Sequence, residues 1–590
     1  MRLARLRNGV AARLRGMAER TGTEKAASVR VDVAVSEKEG SIMLEGEVPT
    51  WADKIELGYY AAHFGYRGVV NDVVASDSKW AASETPFHVG GSKPDRPLEG
   101  RNFDAAIIGG GVVGCAIARE LSKWNISIVL IEKEEDVATQ ASGRNDGMIH
   151  DGFAAKPGTK KAKYNVLGNR LWEPLAKDLG VPFSRPGSLI VYSSAALAAL
   201  GPALAARSRM NGVDGWEFWS SKKLKAEEPN ITDSQHGAFF LPSAGVISPY
   251  RATVALAESA AINGALVMLG TCVLGFDMEE GRIAKVKTDR GDFRAGVVIN
   301  AAGNWADIVA GYAGDRFFSL HQRRGVDIIL DKSAGPTQKH ILGMPALAQT
   351  KTHSKGGGLV KTNEGNILVG PTAEEAPGRE EYATYPRDMA GLAKHFKINT
   401  KLSQGMAITY FAGVRPCTYE EDFIIEASCK VPNLIHAAGI QSPGLASAPA
   451  IAVDIAKLAL ESLRKTRAVE PKQNFIAKRE VTPELRSLPL EERAAYIARD
   501  PAYGRIVCRC EEISEGEIRD ALRSPVPAAS LDAVKRRVRP GMGRCHGGFC
   551  TPRVMEIISG ELGIPLETVT KKGGGSRIAL GETKSRGGRL

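Results

Sequence analysis

Four cysteines near the end of the chain carry the first chemical signal. Cys508 and Cys510 form a C-x-C pair and Cys545 and Cys550 a C-x4-C pair, 34 residues apart, in a sequence with eight cysteines in all. Thiolates grouped this way are a ligand set for a metal centre, either an iron–sulfur cluster or a zinc ion. The second pair lies in RPGMGRCHGGFCTP, where Gly541, Gly543, Gly547 and Gly548 permit a tight backbone whose N–H groups point at sulfur. Zinc usually takes C-x2-C pairs, a spacing neither pair has, so it ranks below a cluster, and four unrelated core cysteines rank below both. Lys535, Arg536, Arg537, Arg539 and Arg544 would offset the charge of an anionic cluster. A cluster here would make the chain an electron-transfer protein.

A second group of residues binds a nucleotide. Phe103 opens a strand, AAIIGG, followed by GGGVVG, the helix CAIARELSKW and a second strand, ISIVLIEKE. Gly109, Gly111 and Gly114 make G-x-G-x-x-G, and Glu132 ends the second strand 23 residues after the first glycine. This is a dinucleotide-binding βαβ unit, in which Gly109 permits the turn, Gly111 admits the pyrophosphate, Gly114 brings helix against strand and Glu132 accepts from the adenosine ribose. The cysteines then bear on which dinucleotide it is. Nicotinamide passes hydride, whereas a cluster takes electrons singly and a flavin mediates between the two. FAD is therefore expected rather than NAD.

Three downstream segments, TQASGRNDGMIHDG, VINAAGNWADIVAGYAG and GVRPCTYEEDFIIEASCKVPNLIHAAGIQSPGLASAPAIA, resemble the flavin-enclosing segments of the D-amino-acid oxidase-like superfamily. The resemblance implies that an antiparallel substrate sheet interrupts the nucleotide domain between Phe103 and about Leu463. It also implies that Ser142, Gly143 and Arg144 wrap the flavin, that Gly303 lies by the nucleotide, and that Gly439, Gln441, Ser442, Gly444 and Leu445 close over the isoalloxazine. Within the superfamily the block looks most like the catalytic subunit of anaerobic, quinone-linked glycerol-3-phosphate dehydrogenase, with L-2-hydroxyglutarate dehydrogenases nearly as close. The C-x-C module resembles the bacterioferritin-associated-ferredoxin-like [2Fe-2S] domain, which implies that cluster over zinc.

Oxidising a secondary alcohol needs a base, a hydride acceptor and cations for the substrate's anion. His150, in MIHDG after the SGRN segment, is the candidate base, its alternative being a hydrogen bond to backbone beside the cofactor. Arg415, in GVRP, is the candidate anion holder by resemblance, followed by Arg324 in QRRGVDIIL and Lys161 in PGTKKAK. Thr372 offers a hydroxyl to the pocket or packs the sheet, and His436 reads as a satisfied core histidine. Glycerol-3-phosphate dehydrogenases carry a phosphate-binding arginine shortly after the histidine, where this chain has Phe153 and Ala154.

The elements that must position these groups span several domains, as 590 residues with 43% hydrophobic and 25% charged content allow. The expected class is α/β and α+β: a Rossmann-like FAD domain with an inserted antiparallel sheet, a small α+β N-terminal module and a small helical cluster domain. Residues 1–80 hold an amphipathic helix (Leu3, Leu6, Val10, Leu14, Met17) and alternating strands (Val29 to Val35). The wording SIMLEGEVPTWADKIELGYYAAHFGYRGVVNDVVA resembles a BON domain, a small repeat of bacterial proteins that act near membranes or bind lipid. Residues 81–102 read as linker, 103–463 as the flavin block, 464–500 as linker, 501–562 as the cluster domain and 563–590 as a basic tail. In the cluster domain Ser514 with Glu517 makes a capping box, and Thr551-Pro552 starts a helix.

No apolar run approaches the roughly 18 residues of a membrane span. The scattered Cys115, Cys272, Cys417 and Cys429 suit a reducing, cytoplasmic compartment. The net charge of +11 gathers partly at the ends, and with the BON-like module it suggests peripheral contact at the inner face of a membrane. No nucleic-acid signature accompanies it. The expected activity is oxidation of glycerol 3-phosphate, electrons passing from FAD through [2Fe-2S] to a partner subunit or quinone pathway. The alternatives are a 2-hydroxy-acid or amino/imino-acid dehydrogenase and, in another class, a non-catalytic relay or assembly subunit.

Overall fold

The computed structural model describes residues 2–21, 28–33, 40–77, 93–344, 357–481 and 483–581. Val35, the expected linker up to residue 92 and the end of the basic tail from 582 lie outside these.

The nucleotide domain is built on six strands in the order Leu266–Met268, Ile128–Ile131, Asn102–Ile108, Arg294–Asn300, Leu434–Ala438 and Ile424–Ala427, the first five parallel and the last antiparallel. Their near-continuous apolar runs follow from cover on both faces. Ala105, Ile107, Ile128, Leu130, Val297 and Ile299 pack in the core that holds the helices Val112–Leu121, Pro249–Ile262 and Gly444–Leu463. Ala106, Ile108, Val129, Ile131 and Val298 face the other way, toward the hairpin Val273–Thr288 and the helix Ala306–Tyr312.

The second sheet has nine strands, and its spine is the antiparallel pair Leu320–Leu330 and Ala407–Thr418. The expected antiparallel sheet is mixed in one place, where Ile341–Gly343 runs parallel to Ser188–Val191. Opposed residues on the spine are His321 with Cys417, Arg323 with Arg415 and Gly325 with Gly413. Because strand side chains alternate, these six share one face, while Arg324, Val326 and Val414 share the other.

The N-terminal helix Arg2–Thr21 buries Leu6, Val10 and Met17 in the module's own core, so its apolar stripe is used internally. Ser41–Val48 pairs antiparallel with Ser28–Val33 and parallel with Gly68–Ala75, the helix Trp51–Ala62 making the crossover. The module is fastened to the flavin domain by ion pairs Asp72–Arg316 (2.6 Å) and Arg67–Glu426 (2.7 Å) and by Asn71, which donates to the Tyr419 hydroxyl.

Two stretches that read as linker are ordered. Residues 93–101 pack on the flavin domain, with Leu98 fully buried and Lys93 paired to Asp289. Residues 469–481 run along it as a strap, with Arg479 paired to Glu258, ahead of the helix Leu490–Arg499. In the cluster domain the Ser514 capping box forms as expected, ahead of the helix Glu515–Leu522. The start of the tail also packs, Lys571 pairing with Asp532 at 2.8 Å.

Candidate active site

The residues of the glycine-rich signature converge at the carboxyl edge of the parallel sheet, where such folds bind ligands. Gly109, Glu132, Gly303 and Gly439 each follow or end one of four neighbouring strands. Gly109 has φ 112° and a side chain there would strike the Ala301 carbonyl, while a Cβ on Gly114 would lie 1.9 Å from the Gly109 oxygen. Gly111 caps the helix Val112–Leu121, whose first N–H is donated to Ser142 Oγ at 2.9 Å. Glu132 accepts from the N–H groups of Gly110 (2.7 Å) and Glu134 (2.9 Å). Burial nevertheless pushes its carboxyl up to about 7.

The cradle leaves polar atoms for a ligand to satisfy. Thr139 Oγ1, Gln140 Oε1, Asn304 Oδ1 and the Tyr382 hydroxyl are buried without a hydrogen-bond partner. Such atoms are costly unless something completes them, and they come from the segments that meet around the Gly109 turn and the Arg144 loop. Arg144 lies over the Tyr382 ring at 4.0 Å and donates to the Thr139 carbonyl. Gly143 is required because a Cβ would lie 2.0 Å from the Ala138 oxygen. The residues therefore fit a dinucleotide whose hydroxyls and phosphates reach these atoms.

Beyond the cradle, the Arg144 backbone lies on the spine of the second sheet, where a Cβ on Gly413 would come within 2.2 Å of its carbonyl. On the same face the Arg415 guanidinium lies across Gly325, which has room for no side chain. Arg415 donates to the Thr372 carbonyl at 3.3 Å and, among the described residues, makes no ion pair. Burial works against its charge. Its neighbour Asp327 is 2% exposed, and burial, reinforced by Asp146, pushes that carboxyl well up from its ordinary value against the pull of Arg415. A half-buried cation that makes no ion pair among the described residues leaves a place for a substrate anion.

Other expected residues are placed differently. Arg324 points to the opposite face, where Glu374 (2.9 Å), Asp388 (3.1 Å) and Glu381 (3.3 Å) neutralise it, so it is removed from the substrate site. Lys161 is paired to Glu421 at 3.2 Å. The Thr372 hydroxyl accepts from the Val326 N–H, which ties it to the sheet. His150 follows the short strand Met148–Ile149 and its carbonyl accepts from Asn169. The carbonyls of Ala154 and Ala155 in the following loop accept from Arg207, a residue distant in sequence. His436 is fully buried and bonded to Asp315 at 2.9 Å, a core histidine as read. The basic residues read beside the cysteines have acidic partners of their own: Arg536 and Arg537 bond Asp136, Arg539 bonds Glu511 and Arg544 bonds Asp331.

Gln441 sits between the sheet and the loop Gly439–Leu445, accepting from Cys417 Sγ at 3.1 Å and donating to Glu421 at 2.7 Å. The helix that begins at Gly444 presents its positive N-terminal end at this loop, and Trp172 fixes it by donating to the Leu445 carbonyl. Sequence reading missed Arg323, Asp327 and Glu421. The signal was present in QRRGVD, since a period of two places Arg323, Gly325 and Asp327, and not Arg324, on the face of Arg415.

The four cysteines form two pairs. Cys510 Sγ and Cys545 Sγ are 3.6 Å apart, and Cys508 and Cys550 are hydrogen-bonded neighbours. Two pairs suit a two-iron cluster, in which each iron takes two thiolates, better than a single ion enclosed by four. Gly543 is needed for this approach, since its Cβ would lie 2.3 Å from that of Cys510. The Cys508 thiol is pulled down to about 6 by Cys550 and, against burial, by the N–H groups of Gly541 and Glu511. Cys550 caps the helix Thr551–Leu562, as its spacing implied. The inner pair is 1% and 3% exposed, whereas Cys510 is exposed and borders a cleft with Ile408, Asp331, Lys332 and Arg544 between the cluster domain and the second sheet.

A dinucleotide cradle facing a substrate sheet, with a cysteine domain docked against both, defines a redox enzyme of the flavin class. Residues 104–458 match the family described as FAD dependent oxidoreductase, and residues 506–559 match the BFD-like [2Fe-2S] binding domain. The chain is 39% identical over 485 residues to the glycerol 3-phosphate dehydrogenase of Caloramator mitchellensis, covering 82% of this chain and 99% of that one. It is 30% identical to the glycerol 3-phosphate oxidase of Mycoplasma pneumoniae over 60% of this chain and 94% of that one. The solved structure of L-alpha-glycerophosphate oxidase from that organism, dithionite-reduced with FAD bound, superposes with a TM-score of 0.60 at 28% identity, covering 65% of this chain and all of the other. The chain belongs to the FAD-dependent oxidoreductase family and is an enzyme of the glycerol-3-phosphate dehydrogenase/oxidase type, with FAD and [2Fe-2S] as its cofactors.

Proposed function

We propose that the enzyme oxidises glycerol 3-phosphate to dihydroxyacetone phosphate and passes the electrons through the [2Fe-2S] cluster to a partner subunit or the quinone pathway. The observation that carries this is Arg415, a half-buried guanidinium with no ion pair among the described residues, on the sheet face that meets the flavin-wrapping Arg144 loop. Bound FAD supplies a two-electron acceptor for the hydride leaving the carbinol carbon. His150 takes the hydroxyl proton, so one hydride and one proton leave each alcohol. Arg415 holds the phosphate, and its planar fork matches that group. Gln441, Ser442 and the N-terminal end of the helix Gly444–Leu463 would help to hold the flavin when it is bound.

A 2-hydroxy acid is the second reading, favoured by Phe153 and Ala154 where a phosphate-binding arginine was expected. Anaerobic bleaching of the flavin band decides between them. Glycerol 3-phosphate should reduce the flavin at micromolar to millimolar concentration and L-2-hydroxyglutarate should not; the reverse result would assign the second reading.

A further inference from the structure

The polar cluster behind Gln441 is closed by a residue from outside the flavin domain. Tyr59, on the helix Trp51–Ala62, donates to Glu421 Oε1 at 2.6 Å and lies 3.2 Å from His321 Nε2, and Arg323 donates to the same phenol oxygen. Arg323 also bonds Glu421 (2.6 Å) and Glu375 (2.9 Å). The second oxygen of Glu421 receives Gln441 Nε2 at 2.7 Å. Hydrogen bonds thus run without a break from the N-terminal module to the loop that covers the flavin. Burial holds the phenol neutral and able to donate, while Lys161 and Arg323, working against burial, hold the Glu421 carboxyl ionised and able to accept.

Two further observations show that this contact is built in. Glu421 has φ 56°, a left-handed conformation that a non-glycine residue keeps only when its surroundings over-determine it. The module also approaches the flavin domain more closely than side chains would permit: a Cβ on Gly58 would lie 2.2 Å from the Tyr419 ring, and one on Gly68 would lie 2.3 Å from the Phe317 carbonyl. The module itself lies outside both matched family segments, residues 104–458 and 506–559.

We propose that the N-terminal module is a fixed wall of the active site, in which Tyr59 acts as a positioning residue that orients the Gln441 amide through Glu421 and so tunes the flavin beside it. This rests on the reading of residues 439–445 as the flavin's cover. Without the phenol oxygen, Glu421 loses one donor and Arg323 one acceptor, so the carboxylate on which the Gln441 amide rests is held by fewer bonds.

The test equilibrates full-length holoprotein with a reference redox dye and reads flavin reduction from visible absorption. It compares Tyr59→Phe, Gln441→Ala, the double variant and Asp72→Asn, the last of which loosens the module at Arg316 instead. Tyr59→Phe should displace the flavin–dye equilibrium roughly tenfold, about 30 mV for a two-electron couple. Gln441→Ala should also displace it, the double variant should go no further than Gln441→Ala, and Asp72→Asn should leave it in place. A displacement in Gln441→Ala with none in Tyr59→Phe overturns the proposal and spares the reading of the loop. No displacement in either overturns both. A displacement in Tyr59→Phe alone refutes the route through Gln441, and an equal one in Asp72→Asn shows general loosening and equally overturns it.

Discussion

Arg415 and Arg324 lie on adjacent strands yet should respond differently to the same substitution. If Arg415 holds the substrate's phosphate as proposed, Arg415→Gln removes a charge-assisted bond worth about 1.5–3 kcal/mol, so KM for glycerol 3-phosphate should rise about tenfold to a hundredfold with melting temperature nearly unchanged. Arg324→Gln leaves the buried Asp388 unpaired, and losing one partner of a buried pair costs about 3–5 kcal/mol. It should lower thermal stability with little effect on KM, as calorimetry and steady-state rates would show. Glu132 gives a prediction in pH. Its carboxyl keeps a proton up to about 7 in the free protein, while the ribose hydroxyls favour the ionised form, so FAD binding releases a proton. Affinity should therefore fall as pH drops below about 7, by at most roughly tenfold per unit, and Glu132→Gln should flatten that slope. Titrating apoprotein with FAD at pH 6, 7 and 8 would measure it.

At the scale of elements, what spacing reveals and what it hides divide cleanly. The βαβ unit, the Ser514 cap and the Cys550 helix start all form as read, because each is dictated by residues within one turn or one strand. Arg324, a candidate for the substrate's anion behind Arg415, lies instead among Glu374, Asp388 and Glu381, because only the sheet's pleat decides which face a residue of QRRGVD takes. Arg536 and Arg537, named in the sequence as charge near the cysteines, take a partner that spacing does not reveal: the fully buried Asp136, some four hundred residues earlier, just after the strand Ile128–Ile131. Arg536 and Arg537 both bond that carboxylate at 2.9 Å. Asp136→Asn should thus loosen the cluster domain by about 3–5 kcal/mol. Rapid-mixing spectra should show slowed reduction of the cluster after flavin reduction by substrate, with flavin reduction itself unaffected.

Across the whole molecule the cysteine domain meets the flavin domain through Asp136 on one side and the cleft bordered by Cys510 and Ile408 on the other. Cys545→Ser should abolish the cluster's absorption and its electron paramagnetic resonance signal while leaving FAD bound and reducible by substrate. Electrons would then remain on the flavin, and anaerobic spectra would show it fully bleached with a dye acceptor turned over slowly. The N-terminal helix illustrates the opposite limit of sequence reading: its amphipathic stripe fits a lipid surface and a protein core equally well, and Leu6, Val10 and Met17 are in the core.

Ligand chemistry was legible from the chain alone, because glycine turns, strand ends and thiol spacing are local properties of backbone geometry. The nucleotide cradle and the cluster ligands therefore needed no fold to be found. Which arginine shares a face with the Arg144 loop, which acid is buried beside it and which cations fasten the domains depended on tertiary packing. Those properties arise from burial and from partners distant in sequence, and a charge acquires its role only once its counterion, or the lack of one, is in place.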